Sequence, residues 1–280
     1  MLVHAMLLVL LSAFLHALWN AILKQTRNLE SSSLGILAVS MVTTWAAVPL
    51  LAGPAFPRPW AIAWSLAAGL FEGVYFLALT RALDRAPLGW SYTWMRGTAI
   101  LLVWPASALC LGERVHPVAA VSAAVLCLGL AAMGLAPGLE RKPHSLRWAL
   151  VTGVAIACYT LCYKLALTHG GQPVAVYAVS TCLSLPILVL MRVRRRGLPE
   201  GLTLPGQPWR VAAAGLLCAG SFLLYLKALA LEGAGAMTTL RNTSVVFAVL
   251  LSTALGERPT PRQWLGAALV AAGAGGLALS

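Results

Sequence analysis

Ten long apolar runs, separated by short polar turns, fill this chain from one end to the other. Hydrophobic residues make up 60% of the 280 positions and charged residues 10%, so the chain carries more apolar surface than a soluble core needs. Each run can supply the roughly 20 helical residues that cross a ~30 Å hydrocarbon layer. Transmembrane strands of about 10 alternating residues do not fit such runs. The sequence therefore predicts an all-α polytopic membrane protein, because a helix satisfies its own backbone hydrogen bonds in lipid.

The ten predicted transmembrane helices divide evenly into five per half. They cover residues 5–23, 33–52, 60–82, 88–111, 117–136, 148–168, 173–191, 209–231, 234–255 and 263–279. The connections are short and rich in Gly and Pro, so no soluble domain is inserted between them. We expect two domains of five helices each, over residues 1–137 and 145–280.

The tetrapeptide Leu-Gly-Glu-Arg occurs twice, at residues 111–114 and 255–258. The copies start 144 positions apart, close to half the chain, which is too long for a solenoid repeat. With five spans per copy, the second copy enters the membrane from the opposite side, so we predict two inverted five-helix repeats, an arrangement typical of transporters. Glu113 and Glu257 follow helix ends, where we expect them to cap or tie neighbouring helices rather than bind substrate.

The net charge of +12 is explained by membrane topology. Fourteen of the twenty Lys and Arg residues lie in the odd-numbered connections, and two, Arg58 and Arg114, lie in the even-numbered ones. The positive-inside rule then places the odd connections in the cytoplasm and both termini outside. We interpret the basic run 192–196 as a topology signal that touches anionic lipid, and we expect no nucleic-acid partner.

The cysteines and acidic residues do not form the pattern of a metal site or an enzyme. All six cysteines lie in apolar runs, and the pair one turn apart, Cys158 and Cys162, has no His or carboxylate beside it. The sequence also lacks a His-rich box. We therefore expect no metal, no cofactor and no catalytic activity.

Four cations lie within predicted spans: Arg96, Lys164, Lys227 and Arg241. A charge near the bilayer centre costs at least ~2.5 kcal/mol, so such residues indicate a functional site. The lysines lie near the ends of their spans, where their side chains can also reach the interface. The arginines share the pattern Arg-x-Thr and precede the two tetrapeptides by about four helical turns, so they are equivalent residues of the two repeats. The alternative is that they cap helices or pair with Glu72 or Glu232 as internal ties.

Further pairs match between the halves. Tyr75 of the third span corresponds to Tyr225 of the eighth, and Trp19 and Lys24 of the first span correspond to Tyr159 and Lys164 of the sixth. Such aromatic side chains can stack on an organic solute and donate hydrogen bonds, although each is also a common packing residue.

Proton coupling requires a group that changes charge, and Glu72 is the one acidic residue deep within a predicted span. Burial disfavours its ionised form, so this carboxyl group can take up a proton at one face and release it at the other. His16 is the second candidate, against the alternative of a neutral imidazole bonded to a carbonyl oxygen or to Asn20. Phe222 occupies the place equivalent to Glu72, so any relay is asymmetric.

The doubled tetrapeptide between the fourth and fifth helix of each half, together with glycine-rich fifth helices at 129–134 and 266–276, resembles the EamA-type members of the drug/metabolite transporter superfamily. This resemblance covers the whole chain and implies alternating access around a central cavity lined by the third, fourth, eighth and ninth helices and parts of the first and sixth. It also implies cytoplasmic termini, contrary to the charge distribution. The stretch 16–20 and Lys24 are similar to a subset of bacterial permeases, some linked to phosphonate use.

These observations predict a secondary active transporter of the inner (plasma) membrane for a small anionic or zwitterionic metabolite, with proton coupling as a further hypothesis. The predicted substrate-binding residues are Arg96, Arg241, Tyr75, Tyr225, Trp19, Tyr159, Trp94, Asn20, Lys24 and Lys164, and the predicted coupling residues are Glu72 and His16. The expected partners are this solute and membrane lipid, and the protein is expected to be a monomer or a homodimer. The alternatives are a flippase for a phosphorylated lipid-linked substrate and a receptor or assembly subunit without transport.

Overall fold

The structure is a computed structural model, which describes residues 2–85, 88–113, 116–134, 143–197, 207–254 and 258–278. Within these ranges every long regular element is an α-helix, as predicted. The helices are α1 (Leu2–Lys24), α2 (Leu29–Ala47), α3 (Pro59–Arg85), α4 (Leu88–Leu111), α5 (Pro117–Gly134), α6 (Pro143–Thr168), α7 (Pro173–Arg196), α8 (Pro208–Leu231), α9 (Ala234–Arg241), α10 (Ser244–Ala254) and α11 (Pro261–Ala278), with a short 3₁₀ turn at Val48–Leu50.

Ten membrane helices result when α9 and α10 are counted as one interrupted span. Eight spans are long and apolar enough to cross a membrane by length and composition, and α5 and α11 complete the set. Six helices begin at a proline, which suits the first helical position because its missing N–H has no partner there. The predicted domain boundary at 137–145 lies largely outside the described residues, as does most of the second Leu-Gly-Glu-Arg.

The ninth span differs from the prediction of one continuous helix over 234–255, because it is broken at Asn242 and Thr243. The backbone N–H groups of these residues bond to the carbonyl oxygens of Thr239 and Leu240, three residues back instead of four. Their side chains also bond to backbone carbonyl oxygens, Asn242 Nδ2 to Thr238 at 2.9 Å and Thr243 Oγ1 to Leu240 at 2.8 Å. Such local bonds compete with the regular helical ladder and interrupt it.

Equivalent helices of the two halves pack against equivalent partners. Helix α3 packs against α6 and α7, and its counterpart α8 packs in the same way against α1 and α2. Likewise α4 packs on α6, and its counterparts α9 and α10 pack on α1. Two further pairs join equivalent helices of the two halves, α5 with α11 and α2 with α7. This exchange of partners is what two five-helix repeats related by a two-fold axis produce.

Two lysines show that the repeats are inverted. At the end of α1, Lys24 Nζ donates to the carbonyl oxygen of Leu83 at 2.5 Å, near the end of α3. At the equivalent place in α6, Lys164 Nζ donates at 2.9 Å to the carbonyl oxygens of Leu229 and Glu232, at the end of α8. An ammonium group stabilises helix-end carbonyls in both cases. Because α1 and α6 run in opposite directions, these contacts lie at opposite membrane faces.

One of these faces, which we name the basic face, is where α1 ends and α2 begins. Its described cations are Lys24, Arg27, Arg81, Arg147, Arg192, Arg194, Arg195, Arg210, Arg258 and Arg262. At this face Arg195 forms an ion pair with Glu30, and Arg192 donates to Ser31 Oγ at 2.5 Å, which ties the end of α7 to the start of α2.

The glycine-rich helices α5 and α11 pack against each other within one chain. A Cβ atom added at Gly129 would lie 2.7 Å from the Gly266 carbonyl oxygen, and one added at Gly273 would lie 2.6 Å from the Ser122 carbonyl oxygen. Only glycine allows the backbones to approach this closely, so these residues serve intramolecular packing.

Candidate functional site

The centre of the molecule contains a buried arginine from the second repeat, Arg241. Helix α9 begins at Ala234, so its last residue, Arg241, lies about 11 Å along the helix, well inside a ~30 Å hydrocarbon layer. The guanidinium carbon lies 4.0 Å from the ring centre of Tyr225 and 4.6 Å from that of Phe222. The break after Arg241 places this cation at a helix C-terminus, where the helix dipole favours positive charge.

The polar contacts of Arg241 are few for a guanidinium group. Its Nη2 lies 3.3 Å from His16 Nδ1 and 3.4 Å from Ser221 Oγ, and its Nε has no partner among the described groups. Because a guanidinium group can only donate, His16 Nδ1 acts as the acceptor in this contact. The described hydrogen bonds of Arg241 include none to a carboxylate, although Arg241 lies within electrostatic range of Glu72, so the internal tie considered above stays an alternative.

Arg96 approaches the same place from the first repeat. It is buried in α4 and lies within electrostatic range of His16 and Tyr159, as Arg241 does. Gly153 allows α4 to pack closely on α6, because an added Cβ would come within 2.7 Å of the Met95 carbonyl oxygen. The two arginines of the pattern Arg-x-Thr thus lie within electrostatic range of the same histidine.

A set of buried aromatic side chains, which we name the aromatic cluster, surrounds this point. Ring centres lie 5.2 Å apart for His16 and Trp19, 5.5 Å for Tyr75 and Tyr159, and 6.1 Å for Tyr159 and Phe222. The cluster consists of Trp19, Tyr75, Phe76, Tyr159, Phe222 and Tyr225, from helices α1, α3, α6 and α8. Both repeats therefore contribute walls to the site.

Three buried hydrogen-bond donors in this region have no partner among the described groups: Trp19 Nε1, the Tyr159 hydroxyl and Arg241 Nε. A buried donor without an acceptor costs roughly 1–3 kcal/mol. Two of these groups can only donate and the third donates readily, so an anionic or carbonyl oxygen satisfies them.

Glu72 lies in a different environment, where α3 meets α6 and α7. Its Oε2 accepts hydrogen bonds from the Tyr163 hydroxyl at 2.9 Å, Ser180 Oγ at 2.8 Å and Ser184 Oγ at 3.2 Å. Its Oε1 is buried and has no partner among the described groups. One carboxyl oxygen is thus saturated by hydroxyl donors, and the other is available for a proton.

Two glycines on α3 create this arrangement. A Cβ atom at Gly69 would collide with the Ser180 carbonyl oxygen, and one at Gly73 would lie 3.1 Å from Ile187 Cγ2. Because these glycines have no side chain, α7 packs so close to α3 that Ser180 and Ser184 contact Glu72. The serines were missed by sequence reasoning, although their i, i+4 spacing opposite a glycine-flanked acid is a usable signal.

The structure brings together most of the predicted site residues. His16, Trp19, Tyr75, Arg96, Tyr159, Tyr225 and Arg241 meet at the centre, as described above. Asn20 is buried next to them on α1, and its Nδ2 donates to the His16 carbonyl oxygen at 2.8 Å rather than to the imidazole ring.

Three predicted residues lie elsewhere. Trp94 is 38% exposed on α4, unlike the buried residues of the centre. Lys24 and Lys164 bind the helix-end carbonyls described above, at opposite faces. Lys227, the other intramembrane lysine, is exposed on α8 within one turn of its end, as expected for a side chain that reaches the interface.

The first Leu-Gly-Glu-Arg has a structural role. Glu113 accepts hydrogen bonds from the backbone N–H groups of Ala234 at 2.7 Å and Gly235 at 3.3 Å, so it caps the start of α9. A carboxylate at a helix N-terminus satisfies free N–H groups and complements the helix dipole. This contact ties the end of α4 in one repeat to the start of α9 in the other, away from the membrane centre.

Comparison with known proteins identifies the class. The EamA-like transporter family matches residues 145–279. A solved structure, described only as a crystal structure of a protein, is 21% identical, covers 99% of this chain and 98% of its own, and superposes with a TM-score of 0.73. It is one of 29 matching chains, and at this identity the likeness shows the fold alone. No curated protein matches the sequence.

The fold defines a polytopic α-helical membrane protein built from ten helices. The family match adds that residues 145–279, the second half of the chain, match the EamA-like transporter family. The resemblance drawn from the doubled tetrapeptide is confirmed at the level of the family, while its phosphonate-linked subset stays a prediction.

Proposed function

We propose that this protein is a secondary active transporter that moves a small anionic or zwitterionic metabolite across the membrane by alternating access. The observation that carries this proposal is Arg241, a buried cation with no described hydrogen bond to a carboxylate, whose Nε, together with Trp19 Nε1 and the Tyr159 hydroxyl, has no described acceptor. Removing a guanidinium group from water is costly unless an anion accompanies it. A carboxylate, phosphonate or phosphate of the solute supplies that anion, and it suits the planar fork of the guanidinium group.

The interrupted ninth span supports a transport site at this depth. Transporters commonly bind solutes near the bilayer midplane where a discontinuous helix exposes its ends. The aromatic cluster supports an organic solute, because its rings offer stacking surfaces and Trp19 Nε1 and the Tyr159 hydroxyl offer donors. Lys24 and Lys164 are left out of the proposed site, since both are bound to helix ends.

We further propose that Glu72 couples transport to protons through its Oε1. The three hydroxyl groups at Oε2 come from α6 and α7 of the second repeat, whereas Glu72 belongs to α3 of the first. Protonation changes how strongly the carboxyl group accepts these bonds, because a carboxylate accepts them more strongly than a carboxylic acid. The contact between the two repeats therefore depends on the proton, as coupling requires.

The proposal is tested by uptake into proteoliposomes. Purified protein is reconstituted and offered labelled amino acids, organic acids and phosphonates, with and without a pH gradient. For a transported solute, we expect Arg241→Gln to lower uptake by about tenfold or more, since the charge-assisted hydrogen bonds to the anion are lost. Arg241→Lys should recover only part of it, because an ammonium group cannot form the paired contact.

Lys227→Gln is the matched control, because it removes an exposed cation from α8 without touching the centre. Its uptake should equal that of the wild-type protein. Equal uptake by Arg241→Gln would refute the site, and the absence of any solute accumulation by the wild-type protein across the screen would count against transport of this solute class.

A further inference from the structure

A groove between α3 and α6 opens on the side of the helix bundle, away from the aromatic cluster. Its volume is about 540 Å³. Its lining is apolar except for one cation, Arg147, and consists of Phe71, Val74, Leu146, Arg147, Leu150, Val151, Val154 and Ala155. Leu150 is 37% and Val154 46% exposed, so these walls face the hydrocarbon layer.

The length of the groove fits one leaflet. From Leu146 to Ala155 the lining follows nine residues of α6, which rise about 14 Å. Half of a ~30 Å hydrocarbon layer is about 15 Å. A single acyl chain that enters at the basic face therefore lies within the groove over the depth of its own leaflet.

The charges at one end of the groove complement a phosphate. Arg147 is exposed near the start of α6, at the basic face. The neighbouring residue Trp148 carries the guanidinium group of Arg81 above its ring, at 4.3 Å from the ring centre. An indole with cations beside it at the interface is a common arrangement for holding a lipid headgroup.

We propose that this groove binds one anionic phospholipid, with an acyl chain between α3 and α6 and its headgroup phosphate at Arg147. This lipid is a resident ligand and not cargo, because none of the donors around Arg241 lines the groove and a polar headgroup would meet only apolar walls beyond Arg147. The inference does not depend on the proposed transport function.

The position of the groove connects the bound lipid with the candidate site. Phe71 in its wall precedes Glu72, and Ala155 lies one helical turn before Tyr159 of the aromatic cluster. An acyl chain in the groove therefore contacts the outer sides of α3 and α6. The inner sides of these two helices carry Glu72 and residues of the aromatic cluster. Lipid binding supports the contact between α3 and α6.

Native mass spectrometry of the full-length protein tests this proposal. The detergent-purified protein is mixed with equal amounts of phosphatidylglycerol and phosphatidylcholine, and the retained lipid is counted. We expect phosphatidylglycerol to be preferred, and Arg147→Gln to reduce that preference about fivefold, the effect of one basic residue near an anionic lipid. Val154→Trp, which fills the groove, should reduce retention of both lipids.

Arg262→Gln is the control, because it removes an exposed cation at the same face on α11, away from the groove. It should leave the preference unchanged. Equal retention of the two lipids by the wild-type protein would overturn the headgroup assignment. Unchanged retention in Val154→Trp, with thermal unfolding like that of the wild-type protein, would overturn the acyl-chain site.

Discussion

Arg241 and Glu72 are both buried ionisable residues, but their hydrogen-bond partners differ in kind. Arg241 Nε and the nearby Trp19 Nε1 have no described acceptor, whereas three hydroxyl groups surround Oε2 of the acid. An added anion satisfies the first environment and an added proton satisfies the second. This difference is the reason we assign substrate binding to one residue and coupling to the other.

Glu72→Gln separates these two roles. Glutamine keeps the size of the side chain and accepts the hydroxyl hydrogen bonds, but it cannot exchange a proton. We expect solute accumulation driven by a pH gradient to fall by about tenfold or more. Exchange of labelled for unlabelled solute at equal pH should persist, because it requires binding but no proton coupling. Both activities are measured in the same proteoliposomes. Accumulation equal to that of the wild-type protein would contradict the assignment, and Lys227→Gln, an exposed change on α8, is the control.

Lys164 and Lys227 make a second comparison at this scale. Lys164→Met removes two hydrogen bonds to carbonyl oxygens at the end of α8, so it should destabilise the protein by about 1 kcal/mol. Lys227→Met removes an exposed cation and should change stability little. Thermal unfolding in detergent measures both. Equal melting temperatures for the two variants would show that Lys164 does not hold this helix end.

Much of the site was accessible from sequence because intramembrane charges are costly and the repeat shows which residues are equivalent. Arg96, Arg241 and Glu72 were found on those grounds. The direction in which a side chain points was harder to predict. A helix that is apolar on every side gives no amphipathic pattern to show which side faces the centre. Trp94 was therefore placed in the site although it is 38% exposed, and Ser180 and Ser184 were not connected with Glu72.

At the scale of helices, the two repeats differ most in the fourth span. Helix α4 continues past Arg96, whereas the ninth span breaks after Arg241. The sequence shows the physical reason: the residue after Arg96 is Gly97, but the residue after Arg241 is Asn242, whose side chain binds the Thr238 carbonyl oxygen. The break was not predicted, since Asn also occurs within continuous helices and its bonding depends on the local geometry.

The packing of α5 on α11 can be tested with two glycines of the same helix. A Cβ atom at Gly273 would lie 2.6 Å from the Ser122 carbonyl oxygen, whereas one at Gly275 would meet nothing within 4 Å. We expect Gly273→Ala to destabilise the protein by roughly 1–3 kcal/mol, because the backbones must separate. Gly275→Ala should be neutral or slightly stabilising, since alanine favours the helix. Equal unfolding temperatures for the two variants would contradict this close packing.

At the scale of the whole molecule, the inverted repeats were predictable from the duplicated tetrapeptide and the odd number of spans, and the exchanged helix pairings agree with them. The two repeats do not carry the same functional groups, because Phe222 of the second repeat occupies the place of Glu72 in the first. Phe222 stacks on Tyr177, with ring centres 4.8 Å apart. The distribution of Lys and Arg and the family resemblance imply opposite positions of the termini. The membrane that holds the protein and its oligomeric state stay predictions.

Contacts between the repeats lie at both ends of the molecule. At the basic face Arg195 pairs with Glu30 and joins α7 to α2, and at the opposite face Glu113 caps α9 and joins it to α4. Alternating access requires that these two connections open in turn, because the site between them must reach one side at a time. Weakening one connection should therefore shift the population toward the state that is open at that end.

This expectation can be measured with a cysteine placed at the buried Ser221 in a variant without the other six cysteines. A membrane-impermeant maleimide is applied to either face of oriented proteoliposomes. Glu30→Ala should increase labelling from the basic face several-fold, and Glu113→Ala should increase it from the opposite face, because each change removes the charged partner of one connection. Each variant controls for the other, and Arg194→Gln, an exposed change beside Arg195, should have no effect. Labelling that rises from both faces in one variant would indicate loss of the fold instead of opening at one end.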